Sequence, residues 1–171
     1  MDKPRRGKTD GTTLGGVNRH VQAFSCRPAH LVRTDMIKKV GHVGIIVENL
    51  DQALKIYSNT LGLKCVERRE IEDVGLRVAV FEAGEIFVEL LEYQNSDLEI
   101  VKALRGDRKG LNHVCYEVEQ FDEVLRKLET AEFQLIPGFP RKGVHGRIAF
   151  LIPPHSPDER IEILEVGQKD E

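Results

Sequence analysis

No apolar run in this chain approaches the ~18–20 residues needed to cross a bilayer. There is also no hydrophobic core of the kind a secretory signal carries, so neither a membrane span nor export is expected. Cysteine is scarce: Cys26, Cys65 and Cys115 are an odd number without CxxC spacing. That excludes a disulfide framework and points to a reducing compartment. Aromatic residues make up 6% of the chain, and no surface interleaves them with basic residues as base stacking would require. An excess of positive charge is confined to the start. Residues 1–34 carry a net +5 and the remainder a net −8, which disfavours a nucleic-acid partner for the main part.

The basic arm, residues 1–36, includes Gly15-Gly16 and Pro28 and shows no clear amphipathic face. It reads as a non-catalytic extension, with Met36-Ile37-Lys38-Lys39 resembling an alternative start. The expected location is the cytoplasm, or an organelle matrix if this Arg-rich, acid-poor arm serves as a targeting segment. With 171 residues, 40% hydrophobic and 31% charged, the chain has the composition of one globular domain with a sizeable core.

What is present is a repeat. Gly41-His42-Val43-Gly44-Ile45-Ile46-Val47 returns as Asn112-His113-Val114-Cys115-Tyr116-Glu117-Val118, 71 residues later. Apolar positions keep step beyond it, with Leu50, Ala53, Leu54 and Tyr57 answered by Phe121, Val124, Leu125 and Leu128. Each copy closes on an aliphatic strand holding one glutamate, Phe87-Val88-Glu89-Leu90-Leu91 and Ile161-Glu162-Ile163-Leu164, at an offset of 73.

Alternating Val/Ile patterns predict strands over 40–47, 64–70, 75–82 and 85–93 in module 1 (about 37–95), with a helix over 51–61 that Gly62 ends. A linker helix over 98–104, within 96–109, is expected to start from Ser96 or Asp97 as its cap. Module 2 (about 110–167) repeats the order, with strands at 111–118, 134–136, 147–152 and 160–166, a helix over 122–130 and a long Gly/Pro loop at 137–146. The expected fold class is α+β: two tandem βαβββ modules forming a curled, eight-stranded mixed sheet around a cleft, within a single domain spanning 37–171.

Strand alternation sets His42 opposite Val43, Ile45 and Val47, and His113 opposite Val114, Tyr116 and Val118. The valines and isoleucines suit a helix-facing side, so both histidines point to the concave face. Glu89 and Glu162 sit among aliphatic residues, where a bare carboxylate would be costly without a cation or a donor. Taken alone, Glu89 would serve equally as partner to a core-edge arginine. Four such residues in register favour a metal. Two imidazoles with two carboxylates suit one divalent ion such as Co, Zn, Ni or Mn better than Ca or Mg.

These residues resemble the methylmalonyl-CoA epimerase family of the vicinal-oxygen-chelate superfamily. The resemblance covers about residues 37–166 and is carried by His42-Val43-Gly44-Ile45-Ile46-Val47, Tyr57 with Leu61-Gly62, Val88-Glu89-Leu90-Leu91-Glu92, Leu111-Asn112-His113-Val114 and Gly143-Val144-His145-Gly146. It implies His42, Glu89, His113 and Glu162 as metal ligands, and Glu162 also as one of two acid–base groups. The second would be Asp73, where the family usually has Glu-Gln-Gly and this chain has Asp73-Val74-Gly75, with Glu72 the neighbouring alternative. His145 and Gly146 would lie in a loop over an acyl-CoA substrate, and a homodimer is implied. The implied reaction is proton abstraction and return alpha to a thioester. The alternatives are a glyoxalase I-type lyase and a non-catalytic small-molecule binding protein of the same superfamily.

Overall fold

A computed structural model describes residues 36–95, 97–106 and 109–167. Residues 1–35 of the basic arm and Ser96 lie outside the described residues. Module 1 begins with β1 (Ile37–Ile46) and α1 (Leu50–Lys55). Asn49 caps α1, its side-chain oxygen accepting from the Gln52 backbone N–H, which satisfies one of the free donors of the first turn. The helix does not stop at Lys55. It widens into a π turn over Ile56–Thr60, where Leu61 N–H reaches back to Ile56 C=O at 3.0 Å. Gly62, at φ +70°, then turns the chain out.

Three strands complete the module: β2 (Lys64–Ile71), β3 (Leu76–Ala83) and β4 (Ile86–Tyr93), with a single 3-10 turn at Glu72–Val74 between β2 and β3. α2 (Glu99–Arg105) links to module 2, which runs β5 (Gly110–Val118), α3 (Phe121–Thr130), β6 (Gln134–Leu135), β7 (Arg141–Lys142), β8 (Arg147–Ile152) and β9 (Arg160–Glu165). The two-residue β7 falls inside the expected 137–146 loop and brings the strand count to nine rather than eight. The expected cap of α2 is corrected too. Leu98 holds that position and offers no side-chain bond, while the Asp97 N–H is taken by Asn95 Oδ1.

The strands form one mixed sheet in the order β2-β3-β4-β1-β5-β9-β8-β6, with β7 paired to β8. β1 runs parallel to β4, and β5 parallel to β9, while β1 and β5 meet antiparallel at the centre. This order reads the same outward from the β1–β5 seam in both directions, so the sequence repeat becomes a pseudo-two-fold.

α1 and α3 each cover the outer face of their own module. Leu50, Ala53 and Leu54 pack on Ala79, Phe81 and Leu90, and Phe121, Val124 and Leu125 pack with Ala149, Leu151 and Ile163. Burying each such large side chain contributes about 1.5–3 kcal/mol. Because strand residues alternate, anchoring Leu90 and Ile163 under the helices turns Glu89 and Glu162 towards the opposite, concave face.

Candidate metal centre and cleft

The two histidines owe their placement to paired irregularities in the seam. Along β1 and β5, Val40 pairs with Tyr116 and His42 with Cys115, so Gly41 is skipped; Gly44 pairs with His113 and Ile45 with Leu111, so Asn112 is skipped. Each extra residue stands immediately before a histidine, as a β-bulge that re-aims the side chain. Gly41 and Asn112 are equivalent positions of the repeat.

All four sequence-predicted ligands converge at the concave face. His42 Nε2 lies 3.2 Å from His113 Nε2, 2.9 Å from Glu162 Oε2 and 3.7 Å from Glu89 Oε2. Glu162 Oε2 is 3.3 Å from His113 Nε2. Donors sharing one tetrahedral ion at ~2.0–2.2 Å lie about 3.3–3.6 Å apart, so donors already 2.9 to 3.7 Å from one another fit a divalent cation. Two groups of these side chains, His42–Glu89–His113 and His42–Cys115–Glu162, have ligand atoms within 4.8 Å of one another. Cys115 is thus a neighbour of the cluster that the repeat pattern did not single out.

The tautomer of His113 is fixed from behind. Asn112 Nδ2 donates to the carbonyls of Leu104 and Arg105 at 3.1 and 3.3 Å. Its Oδ1 is therefore turned to His113 Nδ1, at 2.9 Å, and accepts from it. In the neutral ring this leaves the Nε2 lone pair facing the cluster, as a metal-ligating imidazole requires. Phe150 packs edge-on against the same ring at 5.0 Å between centroids.

The electrostatics follow from burial against proximity. Burial opposes charge on Glu162, yet the imidazoles of His113 and His42 outweigh it and hold the carboxyl down to about 2. His42 is raised: desolvation pulls it down, but the Glu162 hydrogen bond and the charges of Glu162 and Glu89 win. Burial, followed by the Glu162 charge, pushes both the Tyr93 phenol and the Cys115 thiol up. Both stay neutral at physiological pH.

Over the cluster opens a cavity of about 380 Å³ whose walls include Val78, Leu91, Tyr93, Phe139 and Phe150, with His42, Glu89, His113 and Glu162 in its lining. Asp73 also lines it, from the turn between β2 and β3, and Arg141 Nη1 donates to its Oδ2 at 2.8 Å. Glu72 is exposed and does not line the cavity. His145 lines the rim, half exposed, with Nε2 3.3 Å from Arg69 Nη1. Gly146 is not part of the lining. It seals the loop against β9, where a Cβ would fall 2.3 Å from the Glu165 carbonyl oxygen.

Arg69, Tyr93 and Asn112 were missed from sequence. Asn112 had a signal, since it aligns with Gly41 in the repeat. Arg69 had none, because β2 carries charge on both faces. Its Nη2 donates to Glu89 Oε1 at 2.9 Å, so the arginine partner open to Glu89 exists, and it leaves Oε2 directed to the cluster.

A sequence model of the Glyoxalase/Bleomycin resistance protein/Dioxygenase superfamily matches residues 41–150. The chain is 32% identical over 130 residues to the uncharacterized protein YqjC of Bacillus subtilis, across 75% of this chain and 93% of that one. It is 31% identical over 121 residues to the ethylmalonyl-CoA/methylmalonyl-CoA epimerase of Cereibacter sphaeroides, across 69% and 90%. The crystal structure of methylmalonyl-CoA epimerase from Mycobacterium tuberculosis matches with a TM-score of 0.67 at 26% identity, covering 82% of this chain and 95% of that one.

Paired βαβββ modules meeting at a His/Glu cluster define the vicinal-oxygen-chelate class. This chain belongs to the Glyoxalase/Bleomycin resistance protein/Dioxygenase superfamily, and methylmalonyl-CoA epimerases are among its relatives there.

Proposed function

We propose that this chain is an acyl-CoA epimerase that interconverts the 2R and 2S isomers of methylmalonyl-CoA. The observation that carries this reading is the convergence of His42, Glu89, His113 and Glu162 under an apolar cavity that also holds Asp73. Similarity to named epimerases supports the substrate class. The four residues would hold one divalent ion, of the Co, Zn, Ni or Mn kind. When bound, the ion supplies Lewis acidity towards the oxygens of the substrate.

The rest is the work of the chain. Inverting a carbon centre needs a proton taken from one face and another returned to the opposite face. Glu162 belongs to module 2 and Asp73 to module 1, so each module contributes one of the two acid–base carboxylates, beside Glu89 as the third carboxylate of the lining. One carboxylate oxygen accepts the C2 proton as the C–H electron pair moves into the thioester, and the other carboxyl returns a proton to C2. The apolar walls of Leu91, Phe139 and Phe150 keep water from the carbanionic carbon. For Asp73 to reach substrate it must share or exchange its Arg141 partner. His145 at the rim, with Gly146 holding its loop, borders the path the acyl group takes.

The domain assignment continues as part of the proposal: the single domain 37–171 carries the activity, as a homodimer in the cytoplasm, and residues 1–36 are dispensable for turnover. The deciding measurement is epimerisation of a single methylmalonyl-CoA isomer by metal-loaded protein, beside turnover of a glutathione hemithioacetal. Epimerisation is expected, with a truncation lacking residues 1–35 close to full rate. Hemithioacetal turnover alone would replace this reading with a glyoxalase-type lyase, and no turnover of either would sink it.

A further inference from the structure

Arg69 takes no part in the chemistry above, yet it stands against the metal cluster. It lies between Glu67 and Ile71 on β2 and lines the cavity. Nη2 holds Glu89 Oε1 at 2.9 Å, while Nη1 donates to Glu67 Oε1 at 2.9 Å and approaches His145 Nε2 at 3.3 Å. Its Nε is buried without a hydrogen-bond partner, the single such side-chain atom among the described residues. An arginine serving only to brace Glu89 would be expected to have every buried N–H satisfied.

Charge gives a second, independent argument. The cavity lining balances Arg69, Arg141 and Lys142 against Asp73, Glu89 and Glu162. A divalent ion in the cluster therefore leaves an excess of two positive charges, which an anionic ligand would neutralise. Arg141 is engaged by Asp73 and lies over the Phe139 ring, and Lys142 is exposed. Arg69 is the guanidinium beside the ligands themselves. Its planar fork matches a carboxylate, which a lysine ammonium does not. Glu67, at the partly exposed end of the network, is a counter-ion that an incoming carboxylate can replace.

We infer that Arg69 is a specificity-determining residue that receives the free carboxylate of the substrate's acyl group, so that the site takes carboxyacyl thioesters and discriminates against neutral acyl thioesters. This rests on the acyl-CoA reading above. It adds a residue that acts on ground-state binding rather than on the proton.

The test is calorimetric binding of malonyl-CoA and propionyl-CoA to full-length, metal-loaded protein, with metal content measured on the same samples. The wild type should favour malonyl-CoA. Arg69→Met should weaken malonyl-CoA by about tenfold or more, leave propionyl-CoA within about twofold and keep its metal. Arg69→Lys, which keeps the charge and loses the fork, should fall between. Three results overturn the inference: a wild type without the preference, an Arg69→Met protein that keeps it, or a preference restored to Arg69→Met by saturating metal. The last would mean that Arg69 acts only through Glu89. A wild type that binds neither thioester would instead sink the acyl-CoA reading itself.

Discussion

Gly44 lies directly against the imidazole of His113, so close that a Cβ on Gly44 would fall 2.1 Å from Cε1 and 2.7 Å from Nε2. The two residues are cross-strand partners in the central seam, and the three atoms such a Cβ would meet first all belong to the ring. A methyl group must therefore displace the ring rather than the strand. Gly44→Ala is expected to keep the fold while lowering affinity for the divalent ion by about 10- to 100-fold, as loss of ligand orientation does elsewhere. Competition against a chelator measures it. Wild-type affinity in Gly44→Ala would mean that His113 is not a ligand.

Asn112 makes the same point from the other side of the ring. It links the Leu104 and Arg105 carbonyls to His113 Nδ1 and fixes the face that Nε2 presents. Asn112→Ala should reduce metal affinity by about 10-fold or more. It should also cost about 1–3 kcal/mol in urea unfolding, from the unpaired groups it leaves. A variant that loses stability but binds metal as before would show that Asn112 serves α2 alone.

These two residues also mark how far the sequence could be read. The repeat gave away the β1–β5 seam, because equal spacing at 42 and 113 forces equivalent strands, and strand alternation then pointed four residues at one face. It could not give the bulges at Gly41 and Asn112, since skipping one residue leaves no trace in apolar periodicity. β2 hid Arg69 because Glu67, Arg68, Arg69 and Glu70 are all charged, so no pattern tells its inner face from its outer. β7 is two residues long and is held by pairing to β8 rather than by any preference of Arg141-Lys142. The π turn after α1 likewise depends on backbone bonding that side-chain pattern does not encode.

Asp122 offers a pH test away from the cluster. It lies in the first turn of α3, and Arg147 donates to it at 2.9 Å while stacking over Phe121 at 4.3 Å. The hydrogen bond from Arg147 lowers its carboxyl below the ordinary Asp range, against a smaller opposing effect of desolvation. A depressed folded value contributes stability that is present above the unfolded pKa of about 3.9 and lost as pH falls through the folded one. Asp122→Asn should therefore melt below the wild type at neutral pH and converge with it as the pH falls through the depressed folded value. A gap that stays constant across that range would exclude the ion pair as its origin.

The buried end of α3 sets a larger stability effect. Phe121 is 1% exposed and packs with Ala149, Leu151 and Ile163. Phe121→Ala should cost about 3–5 kcal/mol in denaturant unfolding, from lost transfer energy and the cavity left behind. Because that core lies behind β9, loosening it should also weaken metal binding through Glu162. A loss under about 1 kcal/mol would show that the site collapses without strain.

The two acid–base carboxylates, Asp73 and Glu162, should be separable by isotope. Asp73 binds none of the cluster atoms and pairs with Arg141 at the cavity wall, whereas Glu162 contacts both His42 and His113. Asp73→Asn should keep the metal, stop epimerisation and still allow solvent deuterium into the one isomer whose proton faces Glu162. Glu162→Gln should weaken metal binding and lose both exchange and epimerisation, because one carboxylate would then be missing from two tasks. Mass spectrometry of each isomer in heavy water, with metal content measured alongside, separates these outcomes. Near wild-type epimerisation by Asp73→Asn would remove Asp73 as a base and pass the role to a different group, with Glu72 the first to test. Exchange of both isomers in Asp73→Asn would show that one base reaches both faces, which the placement of these carboxylates in separate modules argues against.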